Sequence, residues 1–192
     1  KNTTAGAFNV TSRKASFTSG ANFEVSYGNY SFLQAKASIT GAIAKKIAGR
    51  ISFSGTQRDG LLENVVTGKS VNDLNNQGVR GQLLYTPTEN TDITLAVDYS
   101  KQRPDGYAQV VAGVVPTNRA AYRQFNNIIS SLGYSLPSTN PFDRKIDHDT
   151  PWRSGQDLGG ASLNINSKIG NGKLTATSAW RFWNWDPSND RD

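Results

Sequence analysis

The 192-residue sequence contains no cysteine and no methionine, and its only histidine is His148. Without cysteine the chain has no disulfide framework, no thiolate zinc site and no thiol nucleophile. A single imidazole cannot build a metal site with several histidine ligands. Long apolar runs are also missing, since the longest spans only residues 110–115, whereas a membrane-spanning helix needs ~20. A disulfide scaffold, a multi-histidine metal protein and a bundle of membrane helices are therefore excluded.

Charged residues make up 19% of the chain and hydrophobic residues 36%, which does not fit a charge-rich disordered tail. The 21 Lys and Arg residues against 15 Asp and Glu give a net charge of +6. These basic residues are scattered over predicted strands and loops, whereas nucleic-acid binding requires a basic patch. We therefore predict no nucleic-acid partner. Because the sequence begins at Lys1, holds no methionine and opens with no secretory leader, we expect it to be a piece of a longer protein.

Alternation of apolar and polar residues with a period of two is the dominant pattern, and it is typical of antiparallel strands with two different faces. Seven segments carry it: 22–27, 33–40, 47–54, 79–85, 93–100, 161–166 and 173–183. Glycine and asparagine between them, as at Gly28-Asn29, supply the positive φ of tight turns. The sequence therefore predicts an all-β protein with seven antiparallel strands.

The predicted connections between strands are unequal. Those at 41–46, 86–90 and 169–172 are short, whereas those at 58–76 and 104–155 are long, with 28–31 as a short exception on the long-loop side. Short turns at one end and long loops at the other are typical of a transmembrane β-barrel.

A short helix is predicted inside the longest loop, where apolar residues recur at helical spacing at 121, 125, 128, 129 and 132. Thr117 is the predicted N-cap of this helix and Gly133 its predicted C-terminal stop.

The two faces of the predicted strands suit two different media. One face carries amides, hydroxyls and a few charges, as in a water-filled lumen, and the other mixes bulky aliphatic residues with glycine and alanine, as lipid tails allow. Aromatic residues near strand ends (Tyr27, Tyr85, Tyr99 and the tryptophans of 180–185) predict belts at the membrane interfaces. Because a barrel in lipid leaves no open edge and bacterial barrels have even strand numbers, we expect these strands to belong to a larger barrel.

Several segments carry a resemblance to one known family of proteins. Residues 1–14, which read Lys-Asn-Thr-Thr-Ala-Gly-Ala-Phe-Asn-Val-Thr-Ser-Arg-Lys, resemble the end of the plug domain in TonB-dependent outer-membrane receptors, with Phe8 where isoleucine is usual in that family. Residues 25–30 are similar to the first barrel hairpin, 58–60 to the second outer loop, 79–87 to the fourth strand and 180–192 to the entry into the fourth outer loop.

The resemblance implies an antiparallel transmembrane β-barrel that belongs to a 22-stranded, plugged barrel. Residues 1–19 would be the C-terminal end of the plug domain with its connector, and 20–192 the first seven barrel strands with extracellular loops 1–3. Such receptors lie in the bacterial outer membrane, contact its lipid and lipopolysaccharide, and import a large scarce solute such as a ferric siderophore with energy transduced by the TonB complex. The TonB-contacting parts would lie outside this chain. The alternative is a soluble β-rich carbohydrate-binding module that uses exposed tryptophan and tyrosine.

Candidate ligand-binding residues lie in the long loop. Its aromatic residues suit stacking on a ring or sugar, its cations suit an anionic chelate, and His148 between two aspartates suits a ferric ligand. Each set also has an interpretation without a ligand. The aromatic residues would hold the loop together, the cations would pair with lipopolysaccharide phosphates or lie in water, and His148 would belong to a solvated acidic turn. The candidates are Tyr107, Tyr122, Arg144, Lys145, His148, Trp152 and Arg153.

A second set of candidates comprises charged residues on the polar face, which we predict to hydrogen-bond the plug. They are Glu24, Lys36, Arg50, Arg80 and Asp98. Because the sequence forces no Ser–His–Asp arrangement and no carboxylate pair, we predict that the protein is not an enzyme and carries no cofactor or metal.

Overall fold

A computed structural model describes residues 6, 11–106 and 108–188. This part of the chain forms ten β-strands, one short α-helix and two 3-10 turns, at 121–123 and 141–143. The elements are β1 (Gly20–Gly28), β2 (Phe32–Ala44), β3 (Ile47–Arg58), β4 (Leu62–Asn64), β5 (Lys69–Val71), β6 (Leu74–Thr88), β7 (Thr91–Gln102), α1 (Phe125–Ser131), β8 (Lys145–Ile146), β9 (Arg153–Ile169) and β10 (Gly172–Ser188).

Seven of these strands form one antiparallel sheet in the order β1-β2-β3-β6-β7-β9-β10. Each pairs with the next long strand along the chain, which makes the sheet an up-and-down meander. The prediction of an all-β protein with seven antiparallel strands is thereby confirmed. The strands are longer than their periodic segments, from 9 residues in β1 to 17 in β9 and β10, because the ladders continue into positions where the alternation fades.

The register of the ladders places residues of one kind on each face of the sheet. Ile51 aligns with Ile39 of β2 and with Gly81 of β6, which in turn aligns with Val97 of β7. This apolar face is uncovered: Phe23 is 77% exposed, Ile51 60% and Val97 53%. Among the described residues, no second layer packs over the apolar face.

The opposite, polar face is partly covered by the segment 11–19. Its backbone N–H at Ser16 donates to Thr40 Oγ1 at 2.9 Å, and Arg50 Nη1 donates to the carbonyl oxygen of Lys14 at 3.2 Å. Ala15 packs in one buried cluster with Ala48 and Leu84. Leu84 interrupts the polar alternation of β6, and the cover from Ala15 explains how an apolar side chain is accommodated there. Of the predicted plug end, residues 1–5 and 7–10 lie outside the described residues.

The long connections meet at one end of the large sheet and the short turns lie at the other. A small three-stranded sheet in the order β5-β4-β8 joins the connection between β3 and β6 to the connection between β7 and β9, with β4 and β8 parallel. We call the connections at this end the first (β1 to β2), the second (β3 to β6) and the third (β7 to β9). The backbone N–H of Asp59 donates to the carbonyl oxygen of Tyr30 at 2.8 Å, which ties in the first connection as well. We call this assembly of residues 29–31, 59–73, 103–106 and 108–152 the loop cap.

The predicted short helix is confirmed as α1, although its N-terminal boundary differs from the prediction. Gln124, not Thr117, is the N-cap residue. Thr117 is instead held to the Gln124 side chain, because its N–H donates to Gln124 Oε1 at 3.0 Å and its carbonyl accepts from Gln124 Nε2 at 2.8 Å. Gly133 ends the helix with φ +67°, as predicted. In the described residues, no helix has both the length and the apolar character that crossing a membrane would require.

Candidate functional site

Two asparagines hold the loop cap together. Asn64, which is 5% exposed, donates from Nδ2 to the carbonyl oxygen of His148 at 2.7 Å and accepts from the N–H of Val66 at 3.0 Å. Asn72 forms a reciprocal pair with the backbone of Ala108, at 3.0 and 2.6 Å. Because both side chains bridge segments far apart in sequence, they fix the long loop onto the second connection.

Arg144 is engaged within the loop cap. Its backbone is left-handed, with φ +55°. Its guanidinium hydrogen-bonds the hydroxyl of Tyr30 and lies 5.9 Å from the centre of that ring. Its carbonyl oxygen accepts from the N–H of Glu63 at 2.8 Å. This candidate therefore joins the three connections to one another, whereas its neighbour Lys145 begins β8 with an exposed side chain.

His148 and Trp152 are brought together, with parallel rings 4.7 Å apart. Both line a cavity of about 180 Å³ together with Asn64 and Asp105. His148 Nδ1 and Trp152 Nε1 are buried there, without a hydrogen-bond partner among the described residues.

Neither Tyr122 nor Arg153 lines this cavity, although Arg153 lines a second cavity, of about 330 Å³, together with Trp152. Tyr122 is 76% exposed, in the 3-10 turn before α1. Arg153, at the start of β9, lies 3.7 Å from the carboxylate of Asp186 in an exposed pair. Tyr107 lies outside the described residues. Among the described loop candidates, only His148 and Trp152 thus line the first cavity.

Asp105 is a titratable group of this cavity that the sequence did not single out. Its backbone N–H donates to Asp73 Oδ1 at 2.6 Å. Burial, and then the nearby carboxylate of Asp73, raise the pKa of Asp105 above its ordinary value, and the cation of Lys69 opposes them. Within residues 6, 11–106 and 108–188, no three histidine, aspartate or glutamate side chains are grouped closely enough to hold a metal ion.

The charged candidates of the polar face are paired among themselves or with the segment 11–19. Lys36 Nζ lies 2.9 Å from Glu24 Oε1, and Arg80 Nη1 lies 3.0 Å from Asp98 Oδ1. Arg50 donates to the carbonyl of Lys14, as described above. Of the five, Arg50 thus contacts the segment 11–19, and the other four form two cross-strand pairs.

Arg181 belongs to the same network and was not predicted. Its guanidinium lies 2.6 Å from the second carboxylate oxygen of Asp98, although β9 runs between their strands. Gly160 lies opposite both residues in the register, so no side chain separates them. The signal in the sequence was the paired Gly159-Gly160, which allows residues two strands apart to meet.

The tryptophans of β10 lie on both faces of the sheet. Trp180 and Phe182 are on the apolar face, with their ring centres 5.5 Å apart. Trp183 and Trp185 are on the polar face, with nearly parallel rings 5.8 Å apart. Because alternate residues of a strand point to opposite sides, the tryptophans of 180–185 are divided between the two faces, and their place at a membrane interface stays a prediction.

No family model, curated protein or solved structure matched the chain. The class that the fold defines is an all-β protein built on one large antiparallel sheet, with uncovered apolar side chains on one face and a partly covered polar face on the other.

Proposed function

We propose that the chain is a segment of a TonB-dependent outer-membrane receptor, which binds a large scarce solute such as a ferric siderophore and imports it with energy transduced by TonB. In this proposal the large sheet is part of a plugged 22-stranded barrel, and the loop cap faces the outside of the cell. The residues 11–19 are the connector from the plug.

The observation that carries the proposal is the exposed apolar face. Monomeric soluble proteins rarely expose contiguous apolar patches larger than a few hundred Å². Here bulky apolar side chains are exposed on every long strand, from Phe23 on β1 to Trp180 on β10. Hydrocarbon is the medium in which such a face lowers the free energy, and strands of 9 to 17 residues are long enough to cross it.

Two further features support the proposal. The segment 11–19 hydrogen-bonds the polar face, as a connector entering a lumen would. The two long connections and the short one between β1 and β2 also interlock at one end of the sheet, whereas the opposite end has, in the described part of the chain, only tight turns such as the one between β9 and β10. This asymmetry is typical of outer-membrane barrels.

The alternative, a soluble carbohydrate-binding module, receives support from the tryptophans on the polar face. It leaves the apolar face unexplained, because a soluble sheet needs a second layer over that face to bury it.

The membrane siting is tested with single-tryptophan variants in vesicles of phosphatidylcholine with brominated acyl chains. One variant keeps Trp180 alone and the other keeps Trp183 alone, with phenylalanine at the other three positions. We expect bromine to quench the fluorescence of Trp180 several-fold more than that of Trp183, since the two lie on opposite faces. Equal quenching, or a chain that stays monomeric and monodisperse in buffer without detergent, would refute the proposal. Import is tested separately, by uptake of a panel of iron chelates through the complete receptor.

A further inference from the structure

Trp183 and Trp185 are large aromatic side chains on a face that is otherwise hydrophilic. They are 59% and 53% exposed, and the angle between their ring planes is 13°. The two rings are thus stacked on each other at the loop-cap end of β10, and more than half of each side chain remains exposed. An interfacial lipid belt does not account for them, because the polar face is opposite to the one that carries Trp180.

Amide side chains lie beside this aromatic pair on the polar face. Trp183 Nε1 donates to Gln156 Oε1 at 3.2 Å, and Gln156 lies directly opposite Trp185 in the register. The next two strands place Gln102 and Asn76 in the same cross-strand row. The Nε2 atom of Gln156 is not hydrogen-bonded to any described residue.

The cations near the aromatic pair lie close to carboxylates. Arg103 lies 2.6 Å from Asp157 and Arg153 lies 3.7 Å from Asp186, and these four residues line a cavity of about 330 Å³ together with Trp185. Arg181, two residues before Trp183, is paired with Asp98 at 2.6 Å. An anionic chelate would require guanidinium or ammonium groups free to form charge-assisted hydrogen bonds. The aromatic pair does not offer them.

We propose that Trp183 and Trp185 form a binding platform for a neutral saccharide. A pyranose ring has an apolar face of C–H groups, which stacks on an indole, and a rim of hydroxyls, which amide groups can bind as both donors and acceptors. The proposal deepens the receptor function by naming the class of solute, and it rests on that function for the access of solute to the polar face.

The experiment is isothermal titration calorimetry on the 192-residue chain in detergent micelles. The probes are neutral gluco-, galacto-, manno- and xylo-oligosaccharides, with ferric citrate as the anionic comparator. The variants are Trp183→Ala and Trp185→Ala, and the matched control is Trp180→Ala, on the same strand, 64% exposed and on the opposite face. We expect at least one oligosaccharide to bind, with an affinity lowered at least about tenfold in the two variants and unchanged in the control.

The platform is overturned if no oligosaccharide binds, if Trp180→Ala weakens binding as much as the other two, or if ferric citrate is the probe that requires Trp183 and Trp185. Far-UV circular dichroism checks folding. Should an alanine variant not fold, Gln156→Ala takes its place and must weaken binding without removing either indole. The platform and the receptor function fail separately: saccharide binding without lipid quenching of Trp180 refutes the receptor alone, and quenching without saccharide binding refutes the platform alone.

Discussion

Substitution of Val97 tests most directly whether the apolar face contacts hydrocarbon or water. Val97 lies in the middle of β7, is 53% exposed and projects from that face. Val97→Arg at a water-exposed strand position changes the free energy of unfolding by less than about 0.5 kcal/mol. At the midplane of a bilayer, an arginine on the lipid side of a barrel costs about 2–4 kcal/mol. The two media therefore differ by about 30- to 900-fold in the ratio of folded to unfolded chain.

The matched control for Val97→Arg is Ser162→Arg. Ser162 lies at a similar depth on the neighbouring strand β9, where it pairs with Ala96, but it is on the polar face. An arginine there projects from the polar face and not into hydrocarbon, so we expect a cost below about 1 kcal/mol.

The assay is denaturant unfolding from phosphatidylcholine vesicles, followed by tryptophan fluorescence and far-UV circular dichroism. We expect the midpoint of Val97→Arg to fall well below those of wild type and Ser162→Arg. If the free energies of unfolding of both variants lie within about 0.5 kcal/mol of wild type, the apolar face does not meet hydrocarbon. The membrane-spanning sheet would then be refuted, whatever the solute.

Three further predictions concern the fold and the loop cap. Asn64→Ala leaves buried backbone groups without partners, at a cost of about 1–3 kcal/mol, so hydrogen exchange of the loop cap should accelerate, whereas the exposed Asn126→Ala should leave it unchanged. Gly160→Ala drives a methyl group into the carbonyl oxygen of the neighbouring strand, whereas the space around Gly81 is open; refolding yield should therefore fall for Gly160→Ala and not for Gly81→Ala. Burial raises the pKa of Asp105 in the folded state. The protonated side chain therefore stabilises the fold, and this stabilisation is lost as pH rises through the raised pKa. Asp105→Asn should remove this pH dependence from denaturant midpoints, and an unchanged pH profile would refute it.

The loop cap shows where prediction from sequence stops. The two-residue period identified every strand of the large sheet, because a strand with two different faces needs that pattern along its whole length. The strands β4, β5 and β8 have only two or three residues each, which is too short for a period to emerge. The pairing of β4 with β8 also joins residues about 80 positions apart, as Asn64 with Ile146 shows. Arg144 was predicted from its charge alone, and its contact with Tyr30 depends on that distant pairing.

The sequence by itself determined the all-β class, the number of strands in the large sheet, the two kinds of face and the short helix, because these follow from local periodicity. Only the tertiary structure decided which side each tryptophan of β10 occupies. Aromatic residues fall at both even and odd positions there, so the pattern favours neither phase, and the ladder between β9 and β10 sets it by pairing Trp180 with Ala161 and Trp183 with Leu158. The same ladders bring Arg181 to Asp98 across Gly160. Such contacts between strands that are not adjacent depend on the register of two successive ladders, which no local stretch of sequence encodes.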